Sequence, residues 1–235
     1  MEAPKTQGGA PSVIGGTPAN PDDFPATFTF LTTGGGCTST AVGQRVILTA
    51  AHCVDDGAMG EVQFKGKSIR ITCEHHAQYV QNRTKDFALC RADEELKGIP
   101  FERISSSIAF PSIGSDIKLV GYGCRQTGGS DRSYGVLFEG SAKVTRLPIG
   151  DDLDTIVSGG GALCYGDSGG AAYYYPDDSA ATRQLIGVNS RGNISDTSYL
   201  SSTATPSFIE FAVRWAKKNG LDICGLTRGA KGCRG

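Results

Sequence analysis

The feature that most constrains this chain is the rhythm of its apolar residues, which come in short runs cut apart by glycine. From Val13 onward, Phe28-Thr29-Phe30-Leu31, Val46-Ile47-Leu48, Ser68-Ile69-Arg70-Ile71, Ile117-Lys118-Leu119-Val120 and Leu185-Ile186-Gly187-Val188 are punctuated by Gly34-Gly35-Gly36, Asp55-Asp56-Gly57, Gly128-Gly129 and Gly159-Gly160-Gly161. Runs of this length suit strands, and glycine supplies the backbone freedom that tight turns need. With 33 glycines in 235 residues, the pattern predicts an all-β chain of antiparallel barrels or sandwiches. The length admits one two-layered domain or two fused small ones. One stretch alone reads as helix, Ser207 to about Asn219, where Phe208, Phe211, Ala212 and Trp215 form an apolar stripe and Gly220 supplies a stop. Residues 1–12 are polar, rich in Gly and Pro and without period, and read as an irregular arm. The Pro- and Ser-containing stretch Glu95–Ser112 is the best linker between two halves, and no internal repeat is evident.

Composition narrows the setting. Cys37, Cys53, Cys73, Cys90, Cys124, Cys164, Cys224 and Cys233 are even in number and contain no paired C-x-x-C metal pattern. They point to four disulfides and an oxidising compartment, extracellular or periplasmic; reduced, buried thiols are the other reading. Counting alone leaves the pairing open. The net charge of −1 argues against nucleic acid or a membrane surface as partner. The longest apolar run, residues 45–51, falls far short of the roughly 20 residues of a membrane helix. Met1–Lys5 lacks the apolar region of a secretion signal, so a secreted chain is expected to have lost its signal upstream of this numbering.

Three segments carry chemistry: Leu48-Thr49-Ala50-Ala51-His52-Cys53, Asp86-Phe87-Ala88-Leu89-Cys90 and Gly166-Asp167-Ser168-Gly169-Gly170. They supply an imidazole, a carboxylate and a serine in a glycine-rich bend. A serine hydroxyl becomes a nucleophile only with a base in reach and a third group to orient that base. Glycines around it let successive N–H groups converge on one point, as an oxyanion hole requires. Asp55, Asp56 and Asp93 compete with Asp86 but read more simply as turn or surface acids. His75 and His76 are adjacent on a strand, which points them to opposite faces, and both are expected at the surface.

On these residues the chain resembles the chymotrypsin- and trypsin-like serine endopeptidases, in the order His, Asp, Ser, from Val13 to about Asn219. Its compact loops resemble those of bacterial secreted members. The resemblance implies two six-stranded antiparallel Greek-key β-barrels with a C-terminal α-helix: an arm at 1–12, a first barrel at 13–105 holding His52 and Asp86, a second at 106–205 holding Ser168, and a helix with a stapled tail at 206–235. It implies that Ser168 is the nucleophile, His52 the base and then acid, and Asp86 the orienting group, with the N–H groups of Gly166 and Ser168 as the oxyanion hole. Ser190, Arg191 and Gly192 match the substrate-binding strand, where Arg191 stands in place of the usual aromatic; Tyr165 flanks the same region.

The residue six before the nucleophile floors the primary pocket in these enzymes; here it is Ala162, which implies a neutral or apolar preference, with Asp196 as the acid that could restore a basic one. Val13-Ile14-Gly15-Gly16 resembles the mature N-terminus, whose ammonium pairs with the Asp before the nucleophile, here Asp167. Ser12 precedes it, so the chain reads as a zymogen that a trypsin-like activator would not cut. The resemblance pairs Cys37 with Cys53 and suggests Cys124–Cys164, leaving Cys73–Cys90 and Cys224–Cys233. Expected partners are protein or peptide substrates and an activating protease or inhibitor, acting on a monomer. No cofactor or catalytic metal is expected, while a structural calcium stays open. The rival reading is a catalytically silent homologue that binds without turnover; a second rival is an esterase with the same triad.

Overall fold

The computed structural model describes residues 13–32, 35–105, 111–124, 134–149, 155–177 and 179–234. The arm at 1–12 and the Gly128-Gly129 turn lie outside the described residues. A short β1 (Thr17–Pro18) precedes β2 (Thr27–Thr32), β3 (Gly35–Gly43), β4 (Val46–Thr49), β5 (Met59–Phe64), β6 (Lys67–His75) and β7 (Ala88–Ala92). Strands β2 to β7 close into a barrel in the order β2-β3-β4-β7-β6-β5, sealed by Phe30↔Val62 and Leu31↔Glu61. The second half holds β8 (Asp116–Gly121), β9 (Phe138–Arg146), β10 (Thr155–Gly160), β11 (Ala171–Tyr174), β12 (Gln184–Gly192) and β13 (Thr197–Ser202). Its ring runs β8-β9-β10-β13-β12-β11 and closes through β11–β8, with β1 added to the outside of β9. The two rings therefore share one strand order and make the chymotrypsin-like pair of six-stranded barrels, although no repeat is visible in the residues.

Local sequence explains the strands. In β5 the exposed Glu61 and Gln63 alternate with the buried Val62 and Phe64, the period-2 pattern of a strand with one dry face. Lys65 and Gly66, with φ of 48° and 75°, make the two-residue turn that returns the chain into β6. The helix α1 (Pro206–Asn219) starts with the Thr205 hydroxyl accepting from the Phe208 N–H and with Pro206 in its first turn; Gly220 ends it at φ 63°. Its buried Phe208, Phe211, Ala212 and Trp215 pack into the main core. Phe87 meets Phe208 edge to face at 5.0 Å, so the helix anchors the residue next to Asp86.

The stretch beginning at Glu95 connects the two barrels and is partly covered: Leu96, Phe101, Glu102, Ile104 and Ser105 are buried, while Lys97, Pro100 and Arg103 are exposed. Phe101 and Ile104 bridge to Cys233 and Leu185. One expectation changes, that both adjacent histidines lie at the surface. His76 is only 7 % exposed; it follows the end of β6 and turns its ring edge-on to Phe87 and Phe211, while His75 is half-buried. Disulfides link Cys37–Cys53, Cys73–Cys90, Cys124–Cys164 and Cys224–Cys233.

Candidate active site

His52 sits in the single 3-10 turn Ala51–Cys53 that follows β4, and Asp86 immediately precedes Phe87 and β7. Because β4 pairs with β7, Thr49 lies opposite Ala88, which brings the two residues together. The Asp86 side chain is buried and accepts three hydrogen bonds: from the His52 N–H at 2.8 Å, from His52 Nδ1 at 2.7 Å and from the Ser190 hydroxyl at 2.6 Å. An ionised carboxylate only accepts, so Nδ1 carries the proton and Nε2 is left with a free lone pair. His52 and Ser168 line one groove of about 480 Å3, together with Phe30, the Cys37–Cys53 bridge, Met59 and Tyr165.

The bend holding Ser168 is shaped by contacts from both barrels. The Thr38 N–H donates to the Ser168 carbonyl at 2.7 Å, and the Thr38 hydroxyl donates to the Gly166 carbonyl at 2.7 Å while accepting from the Tyr122 N–H at 3.0 Å. The Cys124 N–H donates to the Tyr165 carbonyl at 2.8 Å. A trans peptide points its N–H opposite its C=O, so this bond turns the Gly166 N–H away from Cys124. Among the described residues neither the Gly166 nor the Ser168 N–H has a hydrogen-bond partner. Gly166 holds φ 98°, and Gly169 holds φ 83° where a Cβ would run into Thr49 and the Thr38 carbonyl, so the bend needs glycine at both.

Asp167 is fully buried and accepts from the Gly123 N–H at 2.8 Å and the Cys164 N–H at 2.9 Å. Burial pushes its carboxyl up to about 7, against the opposing pull of those two amides. Val13 is also buried, at φ 42°, and a Cβ on Gly140 of β9 would meet its side chain. Ile14 exchanges backbone hydrogen bonds with Ala162 at 2.7 and 3.0 Å.

Ala162 is fully buried beside the buried Leu163. Arg191 is exposed, its guanidinium 5.1 Å from the centre of the Tyr199 ring and one nitrogen 3.4 Å from the Ser190 hydroxyl. Gly192 pairs with Ser198 at the end of β12. Asp196 is turned to its own loop, accepting from the Asn193 side chain at 2.8 Å and the Thr197 hydroxyl at 2.9 Å. One cluster of metal-ligating types occurs among the described residues, Cys37, His52 and Cys53, and its two cysteines are bonded to each other, which leaves His52 as its one donor. Thr38 and Tyr134, which buttress the bend, were not legible in the sequence. They lie 128 and 32 residues from Gly166, and only the three glycines before Cys37 hint that something large packs there.

A family model described as Trypsin matches residues 13–212. The chain belongs to the trypsin family. No curated protein matches it in sequence. Among solved structures it is similar to one titled "Structure of Glu endopeptidase in complex with MPD", at 22 % identity and a TM-score of 0.67, covering 87 % of this chain and 97 % of that one. At that identity the likeness speaks for the fold, which this trypsin-family chain shares over nearly the whole of the other protein.

Proposed function

We propose that this chain is a secreted serine endopeptidase. One observation carries the reading: the Asp86 carboxylate accepts a hydrogen bond from His52 Nδ1 at 2.7 Å, while His52 and Ser168 face the same groove. Ser168 Oγ attacks the scissile carbonyl as His52 Nε2 takes its proton, and Asp86 stabilises the imidazolium so formed. The Gly166 and Ser168 N–H groups receive the negative oxygen of the tetrahedral intermediate. Its collapse breaks the C–N bond, His52 returns the proton to the leaving amine, and an acyl ester remains on Ser168. Water then enters through the same base, the ester is hydrolysed, and the serine regains its proton.

Ala162 offers no charge to a substrate side chain and Asp196 is engaged in its own exposed loop, which supports a neutral or apolar residue before the scissile bond. An acidic preference is the second reading, and its one support is the exposed guanidinium of Arg191 on the strand after Ser190. We also infer activation by cleavage before Val13. Val13 lies against β9, the strand paired to β8, and Gly121 and Gly123 at the end of β8 cup the Asp167 carboxyl. Among the described residues no cation is paired with Asp167, so an ammonium arriving there would relieve a buried charge.

The test is intact mass after incubation with a fluorophosphonate, beside Ser168→Ala. One adduct on the wild type and none on the variant supports the endopeptidase. Labelling that appears only after removal of residues 1–12 supports activation at Val13. No labelling with the arm removed favours the silent homologue, and turnover of esters without peptides favours the esterase. A peptide library read by mass then separates a neutral from an acidic preference.

A further inference from the structure

We infer that Tyr134 is a positioning residue for the Gly166 N–H, held in place because Gly36 has no side chain. The catalytic consequence rests on reading that N–H as an oxyanion donor.

Tyr134 reaches from the second half of the chain onto the first barrel. Its hydroxyl donates to the Cys37 carbonyl at 2.8 Å, with the Phe30 carbonyl at 3.5 Å. Half-buried there, the phenol is pushed up to about 12, so it stays a hydrogen-bond donor across the working pH range. The ring lies over Gly36, where an added Cβ would stand 2.5 Å from Cζ and 2.6 Å from Cε2. The ring also backs Gly166, where a Cβ would stand 2.9 Å from Cδ2. The following residue is tied too: the Gly135 N–H donates to the Tyr122 carbonyl at 3.2 Å, beside the Tyr122 N–H that bonds Thr38.

Gly166 is consequently supported from three directions. Thr38 holds its carbonyl, Cys124 holds the carbonyl of the peptide that carries its N–H, and the Tyr134 ring closes the side toward the Cys37–Cys53 bridge. A residue at φ 98° with no side chain has neighbouring backbone minima open to it, and an oxyanion donor is useful only if it is fixed before charge develops. The ring fills the space beside the Gly166 Cα where a side chain would stand, which limits the backbone shifts open to that residue. Tyr134 touches neither substrate nor reacting atoms in this reading; it acts through Gly166.

The fit makes two distant residues one unit, and that is what the experiment tests. Tyr134→Ala, Tyr134→Phe, Gly36→Ala and the double variant Gly36→Ala/Tyr134→Ala are compared for kcat and KM on a peptide substrate, for the rate of fluorophosphonate labelling, and for the NMR order parameter of the Gly166 amide. Tyr134→Ala is expected to lower kcat and the labelling rate about 10- to 100-fold with KM within about two-fold, a part of what loss of a whole oxyanion donor costs. Tyr134→Phe keeps the ring and stays within a few-fold. Gly36→Ala, which displaces the ring, matches Tyr134→Ala, and combining the two adds no further loss. The Gly166 amide order parameter falls in both single alanine variants and not in Tyr134→Phe.

A raised KM at unchanged kcat would make Tyr134 a mere wall of the groove and overturn the assignment, as would additive losses in the double variant or an unchanged Gly166 order parameter. If the wild type fails to label with residues 1–12 removed, the endopeptidase reading falls by itself. The order parameter still decides whether Tyr134 positions Gly166, and a variant that fails to fold is replaced by the comparison of Gly36→Ala with Tyr134→Phe.

Discussion

Replacing Asp167 with Asn should flatten the dependence of stability on pH. The carboxyl is fully buried, it accepts hydrogen bonds from the Gly123 and Cys164 N–H groups, and burial raises it from 3.8 to about 7. At about 1.4 kcal/mol per pH unit, that difference is worth about 4 kcal/mol at most. The sign follows from the raised value: the folded chain binds the proton more tightly than the unfolded one. The full stabilisation is present below pH 3.8, is lost as pH rises toward 7, and is gone above it. Asp177 and Asp196 are held below the usual carboxylate range by Thr182 and Asn193 hydrogen bonds, so their opposite effect falls at lower pH. The assay is urea unfolding from pH 4.5 to 8.5 with disulfides intact, in a Ser168→Ala background that prevents self-cleavage. The Asp form should lose about 3 kcal/mol across that window, and the Asn form should lose none of it. An Asn amide facing one of the two N–H donors lowers stability by an amount that does not vary with pH, so the slope is diagnostic and the offset is not. Two parallel curves would refute the assignment of Asp167 as an unpaired buried acid. Repeating the titration after cleavage before Val13 should abolish the slope if the new ammonium reaches Asp167.

Ser190→Ala removes one of the three donors to Asp86 and should lower kcat/KM about 10-fold, against about 10^4-fold for Asp86→Asn, read by steady-state kinetics on one peptide. Thr38→Val leaves the Gly166 carbonyl and the Tyr122 N–H without their shared hydroxyl and should lower stability by about 1–3 kcal/mol in urea, with slower fluorophosphonate labelling. Glu102→Gln should lose about 3–5 kcal/mol by the same assay, because Glu102 pairs with the buried Arg183 at 2.5 Å and with Arg234 at 3.3 Å. Replacing Cys224 and Cys233 by Ser should lose about 2–3 kcal/mol, checked by thermal unfolding, and should free the tail that brings Arg234 to Glu102.

The residues by themselves determined whatever depends on near neighbours. The period-2 alternation of β5, the glycine-punctuated runs and the Thr205, Pro206 and Gly220 signals around α1 act over a few residues, so strands and helix could be read directly. The three segments around His52, Asp86 and Ser168 were equally plain, because each motif is contiguous. The strand order was not: both barrels close in the same order, yet closure depends on which edges meet, a property shared by unrelated apolar patterns. The buried setting of His76 and of Leu96, Phe101, Ile104 and Ser105 likewise came from partners far along the chain, Phe211 and Cys233 among them. What only the tertiary structure decided is the support of the bend. Ser190 reaches Asp86 across 104 residues, Thr38 reaches Gly166 across 128, and Tyr134 fits Gly36 because a side chain is missing there. Packing of that kind depends on shape and on the sum of many weak contacts, so it leaves no periodic mark in the sequence.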